Sequence, residues 1–248
     1  MNNPFVVCVL EDEFSFKGSN YDLLFTGVGK MNALFYFLIG KNIFKTLIFF
    51  IFIQSGWAQN DPDPLRFLNN PIGDLVSIDL FSLWDKKNKS IDNSIVFVGS
   101  SSIRKWHTSK SFPELPVINR GFGGSHLSDV NYFLYETVLK YRPKLVVLYA
   151  GDNDIYYGKS PSVVLEDFID FVNNINSKLP KTKIIYISIK PSPNRWNFWE
   201  KMSQTNTLIY KYTMQHSYLY YADTATSMLN DKGFPKSLFF ISDSLQFT

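Results

Sequence analysis

An apolar run, Ser94-Ile95-Val96-Phe97-Val98, stops at Gly99 and gives way to three successive hydroxyls, Ser100-Ser101-Ser102. A serine at the C-terminal end of a strand, on the turn into a helix, stands where open α/β sheets carry out chemistry. Two further stretches supply groups that such a serine would need. Asn119-Arg120-Gly121-Phe122-Gly123-Gly124-Ser125 follows a short apolar segment, and Gly151-Asp152-Asn153-Asp154 follows a longer one. The chemistry that joins these residue types is attack of a hydroxyl on a carbonyl. The oxyanion formed in that step needs donors already in place. A backbone N–H at glycine can approach closely because no side chain obstructs it, and an asparagine amide adds a second donor without adding charge. Each stretch alone reads equally well as an ordinary turn.

The elements that would position these groups follow from hydrophobic periodicity. Residues 94–98, 117–119, 145–149 and 183–189 read as strands, and 218–221 as a last one. Between them, Leu127, Val130, Phe133, Leu134 and Val138 recur at helical spacing. Val164, Phe168, Phe171, Val172, Ile175 and Leu179 mark an amphipathic helix ended by Pro180, and 196–216 reads as another helix. Strands alternating with helices of this length predict a parallel sheet covered on both faces. In a doubly wound sheet the three loops would meet at one crevice.

With those blocks in place, the sequence from about residue 95 onward resembles the SGNH hydrolases, the GDSL esterase/lipase family. It carries Val-Gly-Ser-Ser-Ser-Ile, Asn-Arg-Gly-Phe-Gly-Gly and Ala-Gly-Asp-Asn-Asp in that order. The resemblance implies a three-layer, flavodoxin-like α/β fold, a serine mechanism without metal or cofactor, and a small-molecule ester substrate such as an acylated sugar or lipid. Carried over by position, Ser101 is the nucleophile, with Ser100 in the place of the usual aspartate and Ser102 the alternative one residue on. Gly124 and Asn153 are the oxyanion donors, together with the Ser101 N–H. The segment Lys190-Pro191-Ser192-Pro193-Asn194-Arg195-Trp196 resembles a loop lining the pocket mouth, with Trp196 either its wall or a core residue at a helix start.

The last block departs from the pattern. Asp243 matches the family's acid, but Gln246 stands where the histidine belongs, and the family's closing helix is missing after Thr248. A glutamine amide has no basic lone pair at neutral pH, so it can bond to Ser101 without accepting its proton. His126 is the one histidine near the expected crevice, and it reads as a solvated residue on the first turn of a helix. Asp152 and Asp154 could act as weak bases but read as structural. The expectation is an impaired ester hydrolase, with a carbohydrate- or lipid-binding pseudoenzyme or a truncated product as alternatives. Without the closing helix, one sheet face would remain partly uncovered.

The N-terminal third reads differently. Thr26-Gly27-Val28-Gly29-Lys30-Met31-Asn32-Ala33, after the apolar Asp22-Leu23-Leu24-Phe25, resembles the start of nucleoside phosphorylases, over too little chain to form their domain. Residues 1–40 are thus expected to be an extraneous or fused fragment. Residues 41–59 resemble a secretory signal: Lys41 and Lys45, then the seven apolar residues of 47–53, then small residues before a cleavage point after Ala58. That predicts an exported protein, periplasmic or secreted, with 60–248 as the hydrolase-type domain. The alternative is a membrane anchor over 31–53, interrupted by the two lysines. A net charge of +3 with no basic stripe argues against nucleic acid as a partner. The lone Cys8 excludes an internal disulfide, and no Cys/His cluster has zinc spacing. A 45% hydrophobic composition, with 17% aromatic residues, is ample for a packed core.

Overall fold

The computed structural model describes residues 61–68, 78–88, 91–240 and 245. The phosphorylase-like fragment, the signal-like segment, Asp243 and Gln246 lie outside the described residues.

Five parallel strands form one sheet in the order β2-β1-β3-β4-β5. They are β1 (Ile95–Gly99), β2 (Val117–Gly121), β3 (Leu145–Tyr149), β4 (Lys183–Ile187) and β5 (Leu219–Ala222). The register pairs Gly99 with both Gly121 and Tyr149, so the three strands that carry the chemical loops end level with one another. The three loops therefore leave the sheet side by side.

Strand alternation sends successive side chains to opposite faces. Val96, Val98, Val146, Leu148, Ile184 and Tyr186 join the larger core. That core is closed by α1 (Ile78–Lys87), α4 (Leu127–Tyr132), α5 (Leu134–Thr137), α7 (Pro161–Lys178) and α8 (Trp199–Thr213). Ile95, Phe97, Val147 and Tyr149 form a smaller cluster on the other face, where Ile103 of the short α2 (Ser101–Lys105) packs. The next short helix, α3 (Thr108–Ser111), leads into Phe112, which packs on the same cluster. A cavity of about 710 Å³ on that side is lined in part by Ser102, Ile103, Trp106, Tyr149, Ile187 and Met228. The helices and sheet thus make the expected three layers, one of them thin among the described residues.

The amphipathic stripe of α7 is buried as its periodicity predicts, from Val164 to Ile175. Pro161 occupies its first turn, and Ser160 accepts a hydrogen bond from the Val163 N–H at 3.3 Å, capping an otherwise unsatisfied donor. Three expectations shift. The helix read over 127–138 breaks at Phe133 into α4 and α5. There Thr137 Oγ1 donates to the Phe133 carbonyl at 2.8 Å, a local bond of the kind that bends helices. The helix read over 196–216 begins at Trp199, after a 3-10 turn over Pro193–Phe198. Strand β4 ends at Ile187, and Ile189 is taken up by Asn206 of α8. The Asn206 Oδ1 accepts from the Ile189 N–H at 2.8 Å, and its Nδ2 donates to the Ile189 carbonyl at 2.9 Å. A side chain from a helix thereby replaces the next rung of the sheet and turns the chain inward at Lys190.

The segment before the sheet is fastened across the larger core. Phe67 is fully buried, its ring edge-on to Phe122 at 4.9 Å. Arg66 pairs with Asp129 of α4, and Asp61 accepts from Ser128 at 2.8 Å while lying 2.5 Å from Lys159. Among the described residues no helix is long and apolar enough to cross a membrane.

Candidate active site

The first loop depends on a glycine. Gly99 has φ of +130°, and a Cβ there would lie 1.9 Å from the Tyr149 carbonyl oxygen. Its absence lets β1 and β3 close tightly, with the Ser100 N–H donating to that same carbonyl at 3.0 Å. Ser100 is fully buried and its Oγ donates to Asp152 Oδ1 at 3.4 Å. Ser101, the first residue of α2, is half-buried.

The second loop is tied to the first by Asn119. Its Nδ2 donates to the Ile103 and Trp106 carbonyls at 2.7 and 3.0 Å, and its Oδ1 accepts from the Gly121 N–H at 2.9 Å. The Phe122 N–H then donates to the Gly99 carbonyl at 2.9 Å. Gly124 follows, exposed and with φ of +77°, a left-handed turn that glycine adopts without strain.

The third loop enters α6 (Asp152–Tyr156) and reaches back to the second. Asn153 is buried, and its Nδ2 donates to the Ser125 carbonyl, next to Gly124, at 2.9 Å. Asp154 accepts from the Leu127 N–H at 3.0 and 3.1 Å and pairs with Lys159 at 3.1 Å, which gives it a structural task. Hydrogen bonds thus bring together the loops that carry Ser101, Gly124 and Asn153.

Two cations from the segment after β4 complete the arrangement. Lys190 is 1% exposed, and its Nζ donates to Ser102 Oγ at 2.7 Å and to the Tyr149 hydroxyl at 3.0 Å, and lies 3.4 Å from Asp152 Oδ2. Arg195 is 8% exposed. Its Nη2 donates to Asn153 Oδ1 at 3.0 Å, its Nη1 lies 3.4 Å from Asp152 Oδ2, and its guanidinium sits over the Tyr156 ring at 4.4 Å. Burial pushes the Asp152 carboxyl up, but the Lys190 and Arg195 charges outweigh it and hold its pKa below the usual range. Lys190 Nζ thus ties Ser102 of α2, Tyr149 of β3 and Asp152 of the third loop to one another.

Sequence reasoning placed this segment at the pocket mouth and drew attention to Trp196. The structure puts Lys190 and Arg195 beneath the loops instead, while Trp196 is half-buried, stacked on Trp199 at 6.0 Å and against Phe234 at 5.6 Å. The available signal was charge: two basic residues just past a strand end, facing a loop with two aspartates. His126 also needs correction. It is 3% exposed rather than solvated, its Nδ1 3.9 Å from Asp154 Oδ1 and its ring tilted against Tyr157. Burial lowers its pKa to about 4, with Asp129 opposing the shift and Lys159 and Arg66 adding to it. The sequence missed this because a histidine before a helix gives no sign of how deeply the preceding turn is buried. Among the described residues no group of His, Cys, Asp or Glu could hold a metal ion.

This geometry coincides with a match to the GDSL-like lipase/acylhydrolase family over residues 101–242, more than half of the chain. The chain belongs to that family. Solved structures agree on the fold. A GDSL-like lipase from Bacteroides thetaiotaomicron superposes with a TM-score of 0.59 at 17% identity, covering 69% of this chain and 89% of that one. A lipase/acylhydrolase from Enterococcus faecalis gives 0.51 at 19% identity, covering 63% and 87%. No curated protein matches the chain.

Proposed function

We propose that this family member is an ester hydrolase of the SGNH type, acting on acyl or acetyl esters and held to a low rate by Gln246. The observation that carries this reading is the cross-linking of the loops bearing Ser101, Gly124 and Asn153 into one level rim. Ser101 Oγ attacks the ester carbonyl. The Ser101 and Gly124 N–H groups and Asn153 Nδ2 take the oxyanion. The tetrahedral intermediate collapses with loss of the alcohol, and water releases the acid from the acyl-serine. Each step needs a group that accepts a proton and returns it, which Asp243 would orient and Gln246 does not provide. Loss of such a histidine costs on the order of 10⁴–10⁶ in kcat.

The same substitution favours a second reading, a domain that binds an acylated sugar or lipid without turning it over. One experiment separates the two. With p-nitrophenyl acetate, Gln246→His should raise turnover by about 10³-fold or more, and adding Ser101→Ala should remove the gain. A soluble Gln246→His chain whose rate equals that of its Ser101→Ala partner would sink the hydrolase reading. Ligand binding by that inert chain would then favour the second.

A further inference from the structure

A primary amide has two ends of similar shape and opposite polarity, and only one of them can stabilise an oxyanion. Asn153 is useful in that role if its Nδ2 faces the rim and its Oδ1 faces away. We propose that Arg195 is a positioning residue that fixes this orientation. The inference rests on the hydrolase reading above and adds to it a residue outside the family's motif blocks.

Two contacts specify the amide. Arg195 Nη2 donates to Oδ1 at 3.0 Å, and Nδ2 donates to the Ser125 carbonyl at 2.9 Å. Flipping the amide would set its N–H₂ against the guanidinium and its carbonyl against the Ser125 oxygen. Donor would then meet donor and acceptor would meet acceptor, with Asn153 4% exposed and little water to relieve either clash. One Nδ2 hydrogen is used by Ser125, which leaves the other as the donor available to a substrate oxygen. The cation also draws charge toward Oδ1 and makes Nδ2–H a stronger donor.

Arg195 is itself held in place. Asp152 Oδ2 lies 3.4 Å from Nη1, and the Tyr156 ring lies under the guanidinium at 4.4 Å. Asp152 in turn is anchored by the Asn153 N–H at 3.0 Å and by Lys190. The carboxylate thus holds both the backbone of Asn153 and the cation that orients its side chain. A lysine at 195 would keep the charge but not the planar fork.

The test uses the full-length Gln246→His chain as parent and measures kcat and KM for p-nitrophenyl acetate. Arg195→Met should lower kcat by about 10–100-fold with KM nearly unchanged, as for a weakened oxyanion donor. Arg195→Lys should recover part of the loss. Asn153→Ala with Arg195→Met should be no slower than Asn153→Ala alone, because Arg195 acts through that amide. An unchanged kcat in Arg195→Met, or a loss of equal size with and without Asn153, overturns the proposal. If Arg195→Met does not fold by thermal melting, Arg195→Lys carries the same cycle, with a smaller kcat loss that vanishes in the Asn153→Ala background. A parent no faster than its Ser101→Ala variant is a different result: it removes the hydrolase reading, and this inference falls with it.

Discussion

Burying a charge is tolerable where opposite charge is fixed beside it, and Asp152 has Lys190 and Arg195 within 3.4 Å. His126 shows the other outcome, a titratable group kept neutral by burial. Its folded pKa of about 4 lies below the ordinary 6.5, so the unfolded chain binds that proton more readily. Its contribution to stability is complete above pH 6.5 and is lost as pH falls from there toward 4. Asp167 acts in the opposite sense, since burial raises it to about 6 and protonation there favours the folded form as pH falls. Urea unfolding at pH 7 and pH 4.5 should show a smaller acid loss in His126→Gln than in the parent, with Asp167 common to both. Equal losses would remove His126 as the titrating group. At this scale the sequence was legible where a residue's place is set by its neighbours in the chain, as for Ser101 at the start of α2 and Asn153 in the turn after β3. It was not legible where burial and long-range charge decide. The Lys190–Ser102 contact spans 88 positions, and no local pattern announces it.

The elements follow local rules until a side chain from elsewhere intervenes. Strands β1, β2 and β3 and the apolar stripe of α7 could all be read from the sequence, because hydrophobic periodicity acts locally. The early end of β4 could not, because it depends on Asn206, 17 positions away. The junction of β1 with α2 is the least forgiving element. At Gly99 a methyl group would meet the Tyr149 carbonyl at 1.9 Å in a backbone conformation that other residues avoid. Gly99→Ala should cost roughly 3 kcal/mol or more in urea unfolding, because strained backbone and overpacking add. A loss under about 1 kcal/mol, within the ordinary range for a point substitution, would show that the strands can part there without harm.

Across the whole of the described residues, the sheet's two faces are unequally covered, and the fastened segment before β1 contributes to the better-covered one. Phe67 seals that core over Phe122, directly behind the second loop. Phe67→Ala should cost about 3–5 kcal/mol by the rule for buried aromatics. Arg66→Ala should also be costly, because it strips Asp129 of a partner in a buried position. Thermal melting of the two variants checks this. Melting temperatures matching the parent's would mean that residues 61–68 lie on the fold without supporting it. The overall α/β plan was readable from alternation of strand and helix. The tether across the larger core depends on pairings between distant parts of the chain, as of Arg66 with Asp129.

The counter-ions of Asp152 also bear on the order in which this protein matures. The strands and loops bearing Ser101, Gly124 and Asn153 have all been synthesised by residue 153, whereas Lys190 and Arg195 emerge some forty residues later. Until then, closing the loops would bury Asp152 with no cation to match it, an arrangement that costs several kcal/mol. A chain cut before residue 190 should therefore hold these loops more loosely, which faster amide exchange at Asn153 would show.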